Sequence, residues 1–353
     1  MYYGKFFSAW HDSRQRALVR SDLTIAHALM LFAFASASFV PLLAHAEKTA
    51  RRVSPPVNSV KEFQRRLTGP ILTYPTPFQK DGAIDYKGVE NMIRLGLQYK
   101  EVKVVTLTAG NNQFGVLSYD EVKALTSFTV ETVGDRAMVI ASTGFWDNAQ
   151  VLDFARFSED IGASAIQMLK PDGASDEETI AFFKEVASAV RLPIVLHGEF
   201  APELLRELVK IESVAAMKED SGLDYLIASQ IEFGDRLVIF PGGFDSRYLV
   251  GYPYGVRAYY TVFYMFAPEL GHAFWKATEK GDLKKAGAFV EDYDYPFAQK
   301  WTYPFWVATC SYFGICEPYV RPIGDSLSEQ PMVDLKAFWE GLGVRPAVKG
   351  RKN

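Results

Sequence analysis

The chain has 353 residues, a net charge of −4 and 48% hydrophobic residues, a composition that suits one large globular domain with appendages. The charge is not concentrated in a basic stripe, so nucleic acid is not an expected partner. Two cysteines are too few for a disulfide framework, and the five histidines show no ligand-like spacing. We therefore expect no metal site.

The first 46 residues have the pattern of an export signal. A basic segment precedes an apolar stretch, which ends in Leu43-Ala44-His45-Ala46. This pattern predicts a signal peptide cleaved after Ala46, although the apolar stretch is also long enough to stay as a membrane anchor. Cleavage would make the protein exported or periplasmic, and otherwise it would be cytoplasmic. Membrane targeting is expected only through this segment. Residues 47–68 are predicted to form a linker and a short amphipathic helix.

Residues 69–265 alternate between short apolar runs and helical segments. Eight runs, each followed by a helical segment, predict a parallel sheet with helical crossovers. The runs are continuous rather than alternating, as expected for strands buried on both faces. The predicted strands span residues 71–74, 103–107, 137–141, 163–169, 193–196, 213–217, 237–240 and 256–261. The α/β chain is therefore expected to form a (β/α)₈ TIM barrel, with residues 266–353 as a C-terminal helical extension.

Lys218 is the most informative residue of the barrel segment. It stands where the sixth predicted strand ends, and a polar, glycine-containing turn follows it. Enzymes with this fold have their active sites at the C-terminal ends of the strands. Desolvation there destabilises an ammonium group, and a neutral amine can attack a carbonyl to form a Schiff base. The alternative is a structural lysine that reaches the surface from a strand end.

Several motifs in order resemble the dihydrodipicolinate synthase / N-acetylneuraminate lyase family. The resemblance covers about residues 68–344, most of the chain. It is carried by the opening strand and turn at residues 69–78 and 81–85, by Leu107-Thr108-Ala109-Gly110-Asn111, by Ile161-Gly162-Ala163-Ser164-Ala165, by Met217-Lys218-Glu219-Asp220-Ser221-Gly222 and by Phe240-Pro241-Gly242-Gly243. Each motif is weak alone, but their order and spacing together are specific.

The resemblance implies a class I aldolase type of lyase, acting on carbon–carbon or carbon–oxygen bonds. Lys218 would form an imine with the keto carbon of a 2-oxo acid, often pyruvate, and the protonated imine would serve as the electron sink. The segment 108–111 and Gly242 would bind substrate, with Thr108 in place of the first of two carboxylate-binding residues. The resemblance also implies a homotetramer or a homodimer, and no cofactor.

Three departures from the family pattern stand out. His197 holds the position of the family's proton-relaying tyrosine, and it is expected either to carry the proton itself or to cap the strand end. Ala109 replaces the second carboxylate-binding hydroxyl. Arg257 lies in the eighth predicted strand, where a buried guanidinium needs an anionic partner. That partner is either the substrate carboxylate or a structural carboxylate, Asp245 or Glu219.

Three functions are consistent with these residues. The first is a Schiff-base lyase or aldolase for pyruvate or another 2-oxo acid, with Lys218 as the nucleophile. The second uses the same imine chemistry in a dehydratase or hydratase of a sugar-derived 2-keto-3-deoxy acid. The third is an exported, non-catalytic ligand-binding barrel, since one barrel fold hosts many functions. Dihydrodipicolinate synthesis itself is not expected, because the chain lacks groups on which that reaction relies.

Overall fold

The computed structural model describes residue 57 and residues 59–346. The predicted signal peptide or anchor at residues 1–46, most of the predicted linker and the last seven residues lie outside this part of the chain. Within the described residues, no helix combines the length and the apolar character needed to cross a bilayer.

Eight parallel strands form a nearly closed barrel, which confirms the predicted fold class. The hydrogen-bonded order is β7-β6-β5-β4-β3-β2-β1-β8, and β7 lies beside β8 at the closing seam. The strands are β1 (Gly69–Thr73), β2 (Val104–Thr106), β3 (Met138–Ser142), β4 (Ala165–Leu169), β5 (Ile194–His197), β6 (Val214–Glu219), β7 (Val238–Pro241) and β8 (Ala258–Thr261).

A helix follows each strand and packs on the outside of the barrel. Several begin with side-chain caps, as at Ser118 and Ser175, where a serine and a glutamate three residues later form a capping box. The helices are α1 (Val60–Arg66), α2 (Tyr86–Gly96), α3 (Tyr119–Val133), α4 (Asn148–Asp160), α5 (Asp176–Ala189), α6 (Pro202–Leu208), α7 (Leu223–Phe233), α8 (Asp245–Gly251), α9 (Pro268–Glu279), α10 (Leu283–Phe289), α11 (Tyr295–Lys300), α12 (Tyr303–Tyr312) and α13 (Glu329–Gly341).

Helix α1 packs against the N-terminal end of the barrel. Its Phe63, together with Leu67, joins the apolar cluster inside the strands, which includes Val104 and Met138. The Gln64 amide donates hydrogen bonds of 2.8 Å to two carbonyl oxygens, those of Ala215 near the start of β6 and of Arg236 just before β7. This end of the barrel is therefore filled, and the opposite end remains for a functional site.

Two strand limits differ from the predicted ones in a way that affects the site. Strand β6 extends two residues further, because Lys218 and Glu219 pair with Phe240 and Pro241 of β7. Strand β8 begins at Ala258 rather than at residue 256, since the preceding turn runs through Gly255 in the left-handed region at φ +95°. Lys218 thus lies within a strand, and Arg257 lies outside one.

Candidate active site

Lys218, His197 and Asp220 meet at the C-terminal end of the barrel. Lys218 and His197 are register partners on β6 and β5, and both side chains are buried, with exposures of 7% and 8%. Lys218 Nζ lies 2.9 Å from His197 Nε2 and donates a hydrogen bond to Asp220 Oδ2. His197 Nε2 lies 2.9 Å from the same carboxylate oxygen. The three polar atoms therefore form a triangle, with each within hydrogen-bonding distance of the other two.

Gln167 on β4 fixes the orientation of the His197 ring. The Tyr260 hydroxyl donates to Gln167 Oε1 at 2.7 Å, which leaves the amide nitrogen 3.3 Å from His197 Nδ1. An amide nitrogen only donates, so Nδ1 accepts and the hydrogen of the neutral ring sits on Nε2. That Nε2–H faces Asp220. The Tyr260 ring also faces the lysine, with Nζ 5.2 Å from its centroid.

The electrostatics of the triangle favour a neutral histidine beside an ionised aspartate. Burial lowers the pKa of His197, and the neighbouring Lys218 charge lowers it further. Burial alone would raise the pKa of Asp220, but the Lys218 charge and the His197 hydrogen bond hold it well below the usual range. Asp220 is therefore the counter-ion of the Lys218 ammonium.

Gly242, which follows β7, leaves space for this cluster. A Cβ at this position would lie 2.0 Å from Asp220 Oδ1 and 2.9 Å from Lys218 Nζ. Neither distance is sterically possible without displacement, so the absence of a side chain allows the backbone to approach both groups closely. Sequence reasoning treated Gly242 as a substrate-binding residue, whereas its close neighbours in the structure are Lys218 and Asp220.

The predicted substrate-binding segment 108–111 follows β2 at the same end of the barrel. The hydroxyl of buried Thr108 accepts a hydrogen bond from the Asn111 backbone N–H at 3.0 Å. The Asn111 amide donates to Thr73 Oγ1, at the end of β1, at 2.9 Å. Ala109 is buried, while a Cβ at Gly110 would meet no atom within 4 Å. The segment thus forms an ordered rim with open space beside Gly110.

Arg257 does not join this cluster, and the expectation that it lies in a buried strand is wrong. It is exposed just before β8, and its Nη2 donates to the carbonyl oxygen of Gln64 in α1 at 3.1 Å. Because α1 packs at the N-terminal end, Arg257 lies at the end of the barrel opposite Lys218. A side chain there cannot bind a carboxylate held at the lysine.

Arg247 in α8 is the buried arginine of this end of the barrel. Its guanidinium pairs with Glu219 of β6, and both side chains are almost inaccessible to solvent, at 2% and 0%. A second guanidinium hydrogen bond of 3.1 Å reaches the Ser221 carbonyl. Burial raises the pKa of Glu219, and the Arg247 charge offsets part of that effect. The pair anchors the turn that carries Asp220, and Glu219 is therefore the partner of Arg247, not of Arg257.

Two further buried carboxyl groups lie between β7 and the C-terminal helices. Asp294 accepts hydrogen bonds from the backbone N–H groups of Asp245 and Ser246, at 3.2 and 2.9 Å. Thr261 donates to Asp245 at 3.3 Å. Burial raises the pKa of Asp294 to about 6, and burial plus the Asp294 charge raises the pKa of Asp245 well above its usual value. In the described part of the chain, no group of three His, Cys, Asp or Glu side chains is arranged to hold a metal ion.

Sequence reasoning assigned no role to two members of this network. Asp220 was visible two residues after Lys218 but received no role. Gln167 is the single polar residue in the apolar run 165–169, which is the signal of a side chain that points into a functional site. A further member is Tyr260 of β8. Adjacent strand residues point to opposite faces, and Tyr260 is the one that points inward, since Tyr259 stacks on Tyr248 with ring centroids 4.2 Å apart.

Comparison with known proteins places this geometry in a family. Residues 66–294 match the dihydrodipicolinate synthetase family. The chain is 27% identical over 252 residues to a probable 5-dehydro-4-deoxyglucarate dehydratase of Streptomyces coelicolor, covering 68% of this chain and 77% of that protein. Among solved structures, it is similar to dihydrodipicolinate synthase from Oceanobacillus iheyensis, with a TM-score of 0.73, 18% identity and coverages of 80% and 99%. It is also similar to N-acetylneuraminate lyase from Mycoplasma synoviae, with a TM-score of 0.69, 18% identity and coverages of 78% and 98%. The chain belongs to the dihydrodipicolinate synthetase family.

Proposed function

We propose that this protein is a lyase of the class I aldolase type, in which Lys218 forms a Schiff base with the keto carbon of a small 2-oxo acid. The observation that carries the proposal is the buried Lys218 amine at the C-terminal end of the barrel, in contact with His197 and Asp220. A lysine in this position can attack a carbonyl once its proton has been removed. The protonated imine then withdraws electrons from the neighbouring carbon.

His197 is the proposed proton carrier for the bound substrate. Its Nε2 lies 2.9 Å from Lys218 Nζ, so the group is within reach of atoms close to the imine. The Gln167 hydrogen bond holds the ring in place, and the lowered pKa of His197 keeps it neutral at neutral pH. The Nε2–H of a neutral imidazole can donate a hydrogen bond to a substrate oxygen that develops negative charge.

The direct test is reductive trapping with borohydride. Wild-type protein incubated with pyruvate or a sugar-derived 2-oxo acid should become irreversibly labelled on the peptide that contains Lys218, and it should lose activity. Lys218→Ala should show no label. The control is Lys103→Ala, which replaces an exposed lysine just before β2 and should leave the labelling of Lys218 unchanged. Absence of a Lys218 adduct with every 2-oxo acid tried would refute the proposal. Ligand binding undiminished in Lys218→Ala, without turnover, would instead support a non-catalytic barrel.

A sugar-acid dehydratase is the second candidate. Its support is the similarity to the probable 5-dehydro-4-deoxyglucarate dehydratase, together with polar groups at the same end of the barrel as the lysine, Gln167, Ser142 and Asn111. Such groups suit a ligand with several hydroxyls. Incubation with 5-dehydro-4-deoxyglucarate, followed by product analysis, separates the two candidates. Loss of water without release of pyruvate would support dehydration, and release of pyruvate would support carbon–carbon cleavage.

Export and assembly are proposals of the same kind. We propose that residues 1–46 direct export and are removed, and that the mature chain forms a homodimer or homotetramer. The N-terminal sequence and the native mass of the protein purified from its source test both. A mature N-terminus upstream of residue 47 would contradict cleavage after Ala46, and a monomeric mass would contradict assembly.

A further inference from the structure

We infer that Asp220 is a catalytic residue of this protein, the carrier of the protons that leave Lys218 while the imine forms. The inference rests on the proposed function, because it assigns a step of the same imine chemistry. The juxtaposition behind it is the triangle of Lys218 Nζ, Asp220 Oδ2 and His197 Nε2. Imine formation requires one group of that triangle to accept a proton from Lys218.

His197 is not able to accept the first proton where it faces the lysine. The Gln167 amide nitrogen lies 3.3 Å from His197 Nδ1, so the ring hydrogen occupies Nε2. Nε2 is the atom that faces Lys218 Nζ, and it has no lone pair to offer in this tautomer. Tyr260 faces Nζ with its ring, and its hydroxyl donates to Gln167. Among the described side chains that contact Nζ, Asp220 is thus the one that presents an acceptor oxygen to it.

Asp220 is also placed to deliver a proton to the substrate. Its side chain is 26% exposed, against 9% for Lys218, so it is more accessible to an entering keto acid than the lysine is. Its second oxygen, Oδ1, lies over the backbone of Gly242, where even a methyl group would come within 2.0 Å. Because Oδ2 contacts Nζ, a carbonyl carbon attacked by that nitrogen would bring its oxygen within reach of the same carboxylate.

Asp220 alone can carry both protons that move during imine formation. Asp220 takes one proton from the Lys218 ammonium, and the freed nitrogen lone pair forms the C–N bond while the carbonyl π pair moves to oxygen. Asp220 passes the proton to that oxygen, which gives the carbinolamine. It then takes a second proton from nitrogen and passes it to the hydroxyl group. The C–O bond breaks, water leaves and the protonated imine remains. Two protons leave nitrogen, both end in the water, and Asp220 is again a carboxylate.

The test measures the rate of imine formation by rapid mixing, borohydride quenching and mass analysis of the Lys218 peptide. The probes are pyruvate and a 2-keto-3-deoxy sugar acid. Asp220→Asn keeps the shape and an acceptor oxygen but cannot carry a proton at neutral pH. We expect its imine to form ~10²–10⁴-fold more slowly, the range typical of a lost acid–base group. The matched control is Asp235→Asn, an exposed aspartate in the turn before β7, which should form imine at the wild-type rate.

A second variant separates loss of proton transfer from displacement of Lys218. Asp220→Ala should recover part of its rate when formate is added, because a small carboxylate can carry protons in the vacated space. A wild-type rate in Asp220→Asn, or no recovery of Asp220→Ala with formate, would overturn the inference. If wild-type protein forms no Lys218 adduct with either probe, the proposed function itself fails. Thermal unfolding of each variant confirms that folded molecules are compared.

Discussion

The two ends of the barrel are lined by the same strands but have opposite chemistry. Towards the N-terminal end, inward positions hold Val195, Ala216 and Ala258, and α1 seals them with Phe63. Two residues further along β5, β6 and β8, the inward positions hold His197, Lys218 and Tyr260. Hydrocarbon groups need only close packing, whereas buried polar groups each need a partner. The difference shows that the barrel separates stability from chemistry along each strand.

Replacing His197 tests the polar end most strongly. In His197→Phe, turnover should fall by ~10²–10⁴-fold, because the proposed proton carrier for the substrate is lost, while borohydride trapping at Lys218 should persist. The turnover rate and the amount of trapped Lys218 adduct are measured on the same preparation of the variant. An unchanged turnover would assign His197 a structural role and leave the strand-end cap as the better interpretation.

Filling the space at Gly242 tests how closely the polar end is fitted. Gly242→Ala places a Cβ against Asp220 and Lys218, and displacement of the amine by about 1 Å should lower the trapping rate by ~10²-fold. Gly287→Ala in α10 is the matched control, because its added Cβ meets no heavy atom within 4 Å. Equal trapping rates for the two variants would contradict a tight approach at Gly242.

Emptying the apolar end should change stability and leave the chemistry intact. Phe63→Ala removes a fully buried ring from the barrel interior and should cost about 3–5 kcal/mol of unfolding free energy, measured by urea denaturation. The trapping rate per folded molecule should stay at the wild-type value. A large fall in that rate would mean that the two ends of the barrel are not independent.

The buried pair Asp245 and Asp294 predicts a pH effect of opposite sign to that of His197. Both carboxyls have a raised pKa in the folded chain, so their contribution to stability is complete below about pH 4 and is lost as the pH rises, through about 6 for Asp294. The lowered pKa of His197 acts in reverse, since stability falls as the pH drops below about 6.5. Asp245→Asn should therefore lose less stability than wild type between pH 5 and pH 8. Urea denaturation at each pH, with Asp235→Asn as control, measures the difference, and parallel curves would contradict it.

Removing Arg257 should have the smallest effect. The side chain is exposed and makes one described hydrogen bond, to the Gln64 carbonyl, so Arg257→Ala should cost under about 1 kcal/mol. KM for the 2-oxo acid should not change, because this residue lies at the end of the barrel remote from Lys218. A markedly raised KM would restore the interpretation of Arg257 as a carboxylate-binding residue.

Local patterns were sufficient for the barrel and for the position of Lys218. Eight apolar runs with helical segments between them require a parallel sheet, and burial on both faces follows from continuous apolar strands. The lysine at the end of the sixth run therefore had to lie at the C-terminal end of the barrel. The strand limits differ from the predicted ones, because β6 continues through Glu219 by pairing with β7 and β8 starts after Arg257.

Only the closed barrel decided which side chains meet. Asp220 and His197 are 23 residues apart, and Tyr260 and Gln167 are 93 apart, so their contacts depend on strand register and stagger. The same holds for the arginines, where α8 brings Arg247 to Glu219 while the turn before β8 leaves Arg257 outside the strand. Periodicity reports which face of an element is buried. It carries no information on the neighbour across the barrel, since that neighbour is set by the geometry of closure.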